Sequence, residues 1–190
     1  HAAATSFFPA KPLGCYGDGG AVFTTDADIA SRLQELRNHG QDRQYHHPRI
    51  GINGRMDGMR AAIILAKLAI FDDEVAARAR IGTRYSALLA EADCVTPAIA
   101  DGYTSVYAQY TLQVNNRDAV QAALREAGVP SAVYYPITLD QQPALTTRSR
   151  ISGKLAVAHG LQDKVMSLPM HPYLDEATQD QIVAALTGAL

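Results

Sequence analysis

TSFFPAKPLGCYGDGG, residues Thr5 to Gly20, is the stretch on which the reading of the whole chain turns. Lys11 stands between Pro9 and Pro12, after Phe7 and Phe8 and before glycines at 14, 17, 19 and 20. Pro12 steers Lys11 away from the helical region toward extended backbone. Pro9 fixes its own φ at about −65°. The glycines allow positive φ and close approach of the backbone to a ligand. A lysine clamped in this way is held by its chain. Free lysine, with pKa ~10.4, is neutral in only about one molecule in two to three thousand at pH 7. Burial and neighbouring positive charge lower that value, and the neutral amine forms imines with carbonyls. These residues alone leave a surface lysine in a Pro/Gly loop equally open. The glycines do not form a Walker A loop, since no Gly-Lys-Ser/Thr follows. Nor do they form a dinucleotide fingerprint, since their spacing differs and a strand, not a helix, comes next.

Working outward, Gly20 to Thr24 is short and β-rich and predicts a strand. Asp26 or Asp28 caps a helix through Leu36, with Ile29, Leu33 and Leu36 at helical spacing, and Asn38 and Gly40 end it. Strand, helix and strand in this order point to the tail of an α/β layer. Residues 41–55 read as a polar loop. Asp57 caps a helix over 59–71 that is apolar nearly all round, which predicts a buried or interface helix. Another helix opens at Asp72 and runs to about Ala92, with Val75, Ile81, Tyr85, Leu88 and Leu89 inward. Beyond Pro97 the pattern predicts a strand over 107–114 and a helix over 117–127 closed by Gly128 and Pro130. A second strand over 132–135, a mobile loop over 146–153 and a short helix over 154–160 follow. A last helix starts at Asp175, with Ile182, Val183 and Leu186 inward. The domain boundary falls near residue 72.

Composition narrows the function classes. The chain has 190 residues, 47% apolar and 19% charged, with net charge −2. That is an ordinary globular balance, with no basic excess for nucleic acid and no charge block for an interaction tail. Cys15 and Cys94 lie far apart without a Cys-x-x-Cys, so a reducing cytoplasm fits. The longest apolar run, Ala61 to Phe71, is interrupted by Lys67 and is too short for a bilayer. No signal-peptide pattern is present. His39, His46 and His47 have no cysteine or carboxylate pattern to complete a metal site, so none is expected.

SFFPAKPLGCYGDGGAVFTTD resembles the lysine segment of the DegT/DnrJ/EryC1/StrS sugar aminotransferases, fold-type I enzymes that depend on pyridoxal phosphate. The resemblance implies that Lys11 forms the Schiff base with the cofactor and that Ser6 binds its phosphate. IGINGRMD resembles the family's Asn-x-Arg segment. That implies trans roles for Asn53, at the cofactor phosphate of a neighbouring subunit, and for Arg55, near the sugar. An arginine fork suits a carboxylate or diphosphate. VYYPITLDQQPAL resembles the family's Tyr-Pro-x-x-Leu-His-x-Gln-Pro segment, which implies that Tyr134 and Tyr135 face substrate. Asp140 stands where histidine is common, a departure that bears on local charge and on substrate. SLPMHPYLDEATQDQI also resembles the family, with Leu168, Pro169, Pro172 and His171 read as structural.

The implied fold is α/β, the C-terminal part of a fold-type I aminotransferase. Residues 1–71 would end the large cofactor-binding domain and 72–190 would form a small α+β domain, with an N-terminal half expected upstream. The implied function is transfer of an amino group from an amino acid, commonly glutamate, to a keto group of a nucleotide-linked sugar. The nearest flavour is amination of a UDP-linked 3-oxo-2-acetamido-glucuronate for surface polysaccharide. The implied partners are these two substrates and a second copy in a homodimer, with no nucleic acid and no membrane. Two alternatives share the fold: a regulatory or sugar-binding relative without turnover, and a sugar dehydratase, in which histidine replaces the lysine.

Overall fold

The computed structural model of the chain describes residues 1–148 and 150–190. The chain divides into two compact units, His1–Asp73 and Glu74–Leu190.

The first unit is built on β1 (Ala3–Ser6) and β2 (Gly20–Phe23), an antiparallel pair in register from Ala3 opposite Phe23 to Ser6 opposite Gly20. Helix α1 (Ala27–Arg37) follows. Its cap is Asp26, whose carboxylate accepts from the Asp28 and Ile29 amides at 2.9 and 3.0 Å, satisfying donors that the first helical turn leaves free. No strand stands between α1 and the next helix. The chain instead makes one isolated antiparallel bridge, Asn38 with Asn53, so the expected strand–helix–strand order is corrected to a hairpin and a helix. Asp57 caps α2 (Gly58–Leu68), accepting from Arg60 N–H at 2.9 Å. Of the two alternatives expected for this helix, buried or interface, the buried one is corrected. Only Ile64 of α2 is buried, against Phe7 and Cys15, while Met59 is 78% and Leu65 67% exposed. A run that is apolar all round can bury only the side that meets a neighbour, and in this unit that neighbour is the loop between β1 and β2.

Helix α3 (Phe71–Leu88) leads into the second unit. It ends four residues before Ala92, and Leu88, expected inward, is 41% exposed. The sheet here is antiparallel in the order β3 (Cys94–Val95), β4 (Tyr110–Val114), β5 (Val165–Leu168). On β4, Tyr110, Leu112 and Val114 are buried and the residues between them are half-buried, as period two demands. The strand starts at Tyr110 and not at Tyr107, which sits at φ +40 and leaves the strand path. Helices α4 (Arg117–Glu126) and α6 (Glu176–Ala189) pack on each other, with a 3₁₀ turn (Leu139–Gln141) and α5 (Ala156–Leu161) between them in sequence. One core holds Tyr85, Leu89, Tyr110, Leu112, Leu124, Met166 and Leu186, all 0 or 1% exposed. Each buried leucine of this set contributes roughly 1.5–3 kcal/mol.

The strand expected over 132–135 is reduced to one bridge, Ala132 with Ser167, bonded in both directions at 3.1 and 2.8 Å. Pro130 and Pro136 flank it and offer no amide to a ladder. The loop expected over 146–153 includes Ser149, which lies outside the described residues. Among the described residues no helix is long and apolar enough to cross a membrane.

Candidate active site

Lys11 sits in the loop that joins β1 to β2. Ser6 and Gly20 are the last paired residues. Beyond them the Phe7 amide donates to Gly19 O at 2.8 Å and the Cys15 amide donates to Phe7 O at 2.7 Å. The Lys11 amide donates to Phe8 O at 2.8 Å, closing a turn that Pro9 enters with its φ already set. Phe7 and Cys15 point inward to Ile64 and anchor both limbs of the loop. The backbone of Lys11 is therefore held, as the two prolines suggest. Its side chain is exposed and has no hydrogen-bond or ion-pair partner among the described residues, since the turn fixes Cα and leaves Nζ free. Ser6 is exposed too, and its Oγ accepts from the Phe8 amide at 3.2 Å, which leaves the hydroxyl proton to donate elsewhere.

Gly14 makes the loop possible. A Cβ there would lie 2.5 Å from Pro9 O and 2.9 Å from both Lys11 O and Phe8 O. Helix α2 holds the far limb through two cations. Lys67 Nζ donates to Gly14 O at 2.5 Å and stands 5.8 Å from the centre of the Tyr16 ring. Arg60 donates to Asp18 O at 3.1 Å. Sequence reasoning gave neither residue a part in the site. The available signal was a lone cation inside the apolar run 61–71.

Asn53 and Arg55 lie on a segment laced to the C-terminus of α1. The Ile52 amide donates to Leu36 O, the Gly54 amide to Arg37 O, and the His39 amide to Ile52 O, at 2.8, 2.8 and 2.9 Å. Arg55 Nη1 donates to Asn38 Oδ1 at 2.7 Å. Both Asn53 and Arg55 are exposed, and Arg55 faces a polar cleft of about 490 Å³ with Arg37, Asn38 and Gln41. Two carboxylates on that cleft are already engaged: Glu35 with Arg49, and Asp42 with His46, each at 2.6 Å. The His46 ring holds the Asp42 carboxyl below its ordinary value. His47 Nδ1 bonds His39 O at 3.0 Å.

Tyr134 and Tyr135 belong to the second unit. Both are exposed, at 52% and 76%, outside any strand. They line a largely apolar cleft of about 490 Å³ with Ile137, Leu139, Leu161 and Val165. Asp140, on the 3₁₀ turn beside this cleft, pairs with His159 of α5 at 2.8 Å. The Thr138 hydroxyl and the His159 ring hold its carboxyl below the ordinary value. The charge that Asp140 introduces is thus met by a histidine from another element, which the sequence could not pair in advance.

The profile of the DegT/DnrJ/EryC1/StrS aminotransferases matches residues 1–187. The chain belongs to that family. Its sequence is 52% identical over 186 residues to the UDP-2-acetamido-2-deoxy-3-oxo-D-glucuronate aminotransferase of Pseudomonas aeruginosa, covering 98% of this chain and 51% of that protein. It is 40% identical over 185 residues to the pleiotropic regulatory protein of Geobacillus stearothermophilus, covering 96% of this chain and 50% of that one. Among solved structures, a DegT/DnrJ/EryC1/StrS aminotransferase from Brucella abortus superposes with TM-score 0.95 at 46% identity, over 99% of this chain and 50% of that one. The chain spans about half the length of the curated relatives it matches. The described architecture is the C-terminal part of the fold-type I aminotransferase fold of this family.

The lysine loop of this DegT/DnrJ/EryC1/StrS chain fits pyridoxal phosphate by its donor set. Lys11 offers an amine with no partner among the described residues, and Ser6 offers a hydroxyl proton five residues earlier. Gly14, with no Cβ, keeps the turn between them tight.

Proposed function

We propose that the protein transfers an amino group from an amino acid, glutamate in the first instance, to a keto group of a nucleotide-linked sugar, with pyridoxal phosphate as cofactor. The sugar we favour is UDP-2-acetamido-2-deoxy-3-oxo-glucuronate, and the pathway is surface polysaccharide assembly in the cytoplasm. The observation that carries this reading is the Lys11 amine, without a partner among the described residues, on a backbone turn fixed by Pro9, the Phe8 carbonyl and Gly14. The 52% identity to an aminotransferase of that sugar supports the choice of substrate.

When bound, pyridoxal phosphate supplies an aldehyde that condenses with amines and a ring that takes up the electron pair released at the substrate carbon. Lys11 would hold it covalently through Nζ, and the free Lys11 amine would carry the proton removed from the donor carbon. Ser6 holds the phosphate through its hydroxyl. Asn53 reaches the phosphate of a neighbouring copy, and Arg55 directs its fork at the sugar's carboxylate or diphosphate. Tyr134 and Tyr135 present two phenol edges to the sugar. The working unit in this reading is a homodimer. In sum the donor leaves as a 2-oxo acid and the keto sugar leaves as an amino sugar.

Two regulatory or non-transferring readings compete. The 40% identity to a pleiotropic regulatory protein favours a non-catalytic relative. The lysine at position 11 speaks against the dehydratase, which uses histidine there. The deciding experiment supplies glutamate and UDP-3-oxo sugar to a version extended to the full length of its relatives. The expected result is a UDP-amino sugar by mass spectrometry, with the cofactor absorbance changing on glutamate alone. Cofactor bound without any spectral response to glutamate would favour the regulator.

A further inference from the structure

We propose that Lys67 is a positioning residue for Lys11, acting through the carbonyl of Gly14. The inference rests on the reading of Lys11 as the cofactor anchor. Lys67 lies in the last turn of α2, 53 residues from Gly14, and its ammonium donates to Gly14 O at 2.5 Å. That bond lands on a residue packed beside the Lys11 turn: a Cβ on Gly14 would fall within 3 Å of the carbonyls of Phe8, Pro9 and Lys11. Gly14 has no room there for a side chain, and its carbonyl is tied to α2 by the ammonium bond, so Lys67 links the Lys11 turn to the helix.

Two further contacts locate the restraint on α2. Arg60, seven residues earlier, donates to Asp18 O at 3.1 Å, and Cys15 Sγ donates to Arg60 O at 3.5 Å. Position 67 therefore fixes the far limb close to Lys11, and position 60 the same limb closer to β2. A cation suits the task, since a charge-assisted bond to a carbonyl is shorter and stronger than a neutral one. Lys67 is half-buried while its head bonds the carbonyl. The Tyr16 ring, 5.8 Å from Nζ, adds a second attraction for the same charge.

The test compares the unchanged protein, extended to the relatives' full length, with Lys67→Met and Lys67→Arg. One readout is amide hydrogen exchange over residues 14–20 without cofactor. The other is the rate at which borohydride with pyridoxal phosphate traps Lys11, followed by peptide mapping. In Lys67→Met, exchange over 14–20 should quicken and trapping of Lys11 should slow, each by about tenfold. Lys67→Arg, which keeps a charged donor, should stay within about threefold of the unchanged protein for both. Lys67→Leu, which also removes the donor, carries the same test should the methionine variant fail to fold. Unchanged exchange and trapping in Lys67→Met would overturn the positioning role alone. So would an arginine variant that falls as far as the methionine one, because a lost packing contact, and not a lost donor, would then be responsible. If Lys11 is not trapped in the unchanged protein, the anchor assignment fails, and the proposal with it.

Discussion

Replacing Gly14 by alanine tests how tightly the Lys11 turn is built. The added methyl would meet Pro9 O at 2.5 Å, where ordinary contact begins near 3.4 Å, and would meet Phe8 O and Lys11 O at 2.9 Å. All three neighbours are backbone atoms, so no side chain can swing aside. The turn must move by most of an ångström, and the Cys15 amide bond to Phe7 O and the Lys67 bond to Gly14 O lie directly in its path. Forced overpacking of this kind costs roughly 1–3 kcal/mol, and each strained hydrogen bond adds about 1 kcal/mol. A loss near 3 kcal/mol follows, which at a urea slope of about 2 kcal/mol per molar moves the midpoint down by roughly 1.5 M. Gly188→Ala provides the control: it lies in α6, nothing stands within 4 Å of its Cβ, and the change should stabilise by about 0.4–1 kcal/mol. Urea unfolding read by circular dichroism measures both variants. If Gly14→Ala unfolds within about 0.5 M of the unchanged protein, the turn is looser than its geometry implies.

Leu112→Ala, at a fully buried position on β4, should cost roughly 2–5 kcal/mol in the same urea assay. Asp175 caps α6, and the amide and hydroxyl of Thr178 hold its carboxyl below 3.8. A depressed folded value means that its stabilisation is present above the ordinary value and lost as pH falls through the folded one. The Tm gap between the unchanged protein and Asp175→Asn, scanned from pH 6 to pH 2, should therefore close only below pH 3.8; a gap constant across the scan would refute the charge as its source. Mixed Lys11→Ala and Asn53→Ala subunits should regain activity, because a hybrid dimer rebuilds one unaltered site. Verified hybrids that stay inactive would remove Asn53 from its trans role.

The helices and their caps were legible because each carries its own signal. Asp57 caps as the sequence predicts, Asp26 is the cap of the two it offered, Asp175 caps the helix it was read to begin, and Ile182, Val183 and Leu186 all face the core. Strands β3 and β5 were missed because two residues, or four with three in a row buried, show no alternation. Their pairing with β4 is a long-range fact that local pattern cannot hold. In the candidate site, Lys11 announced itself through its prolines and glycines. Lys67 and His159 did not, because what matters about each is a partner far away in sequence, Gly14 for one and Asp140 for the other.

The antiparallel pairing of β4 with β5 has a consequence for how the second unit comes into being. Thr111 and Ser167 share a hydroxyl bond across this pair at 2.8 Å, yet stand 56 residues apart in the chain. Leu186 of α6, at 0% exposure, closes the same core from farther on still. On a ribosome, which adds about 5–20 residues each second, the edge of β4 that β5 will pair must therefore wait for seconds while α4, the cleft segment and α5 emerge, with only the short β3 at its other edge. Tyr110 can already meet Tyr85 and Tyr107, but Leu186 closes this core only when α6 has left the tunnel. The core of the second unit is thus completed late, and a chaperone that shields an apolar strand would find one edge of β4 open throughout that interval.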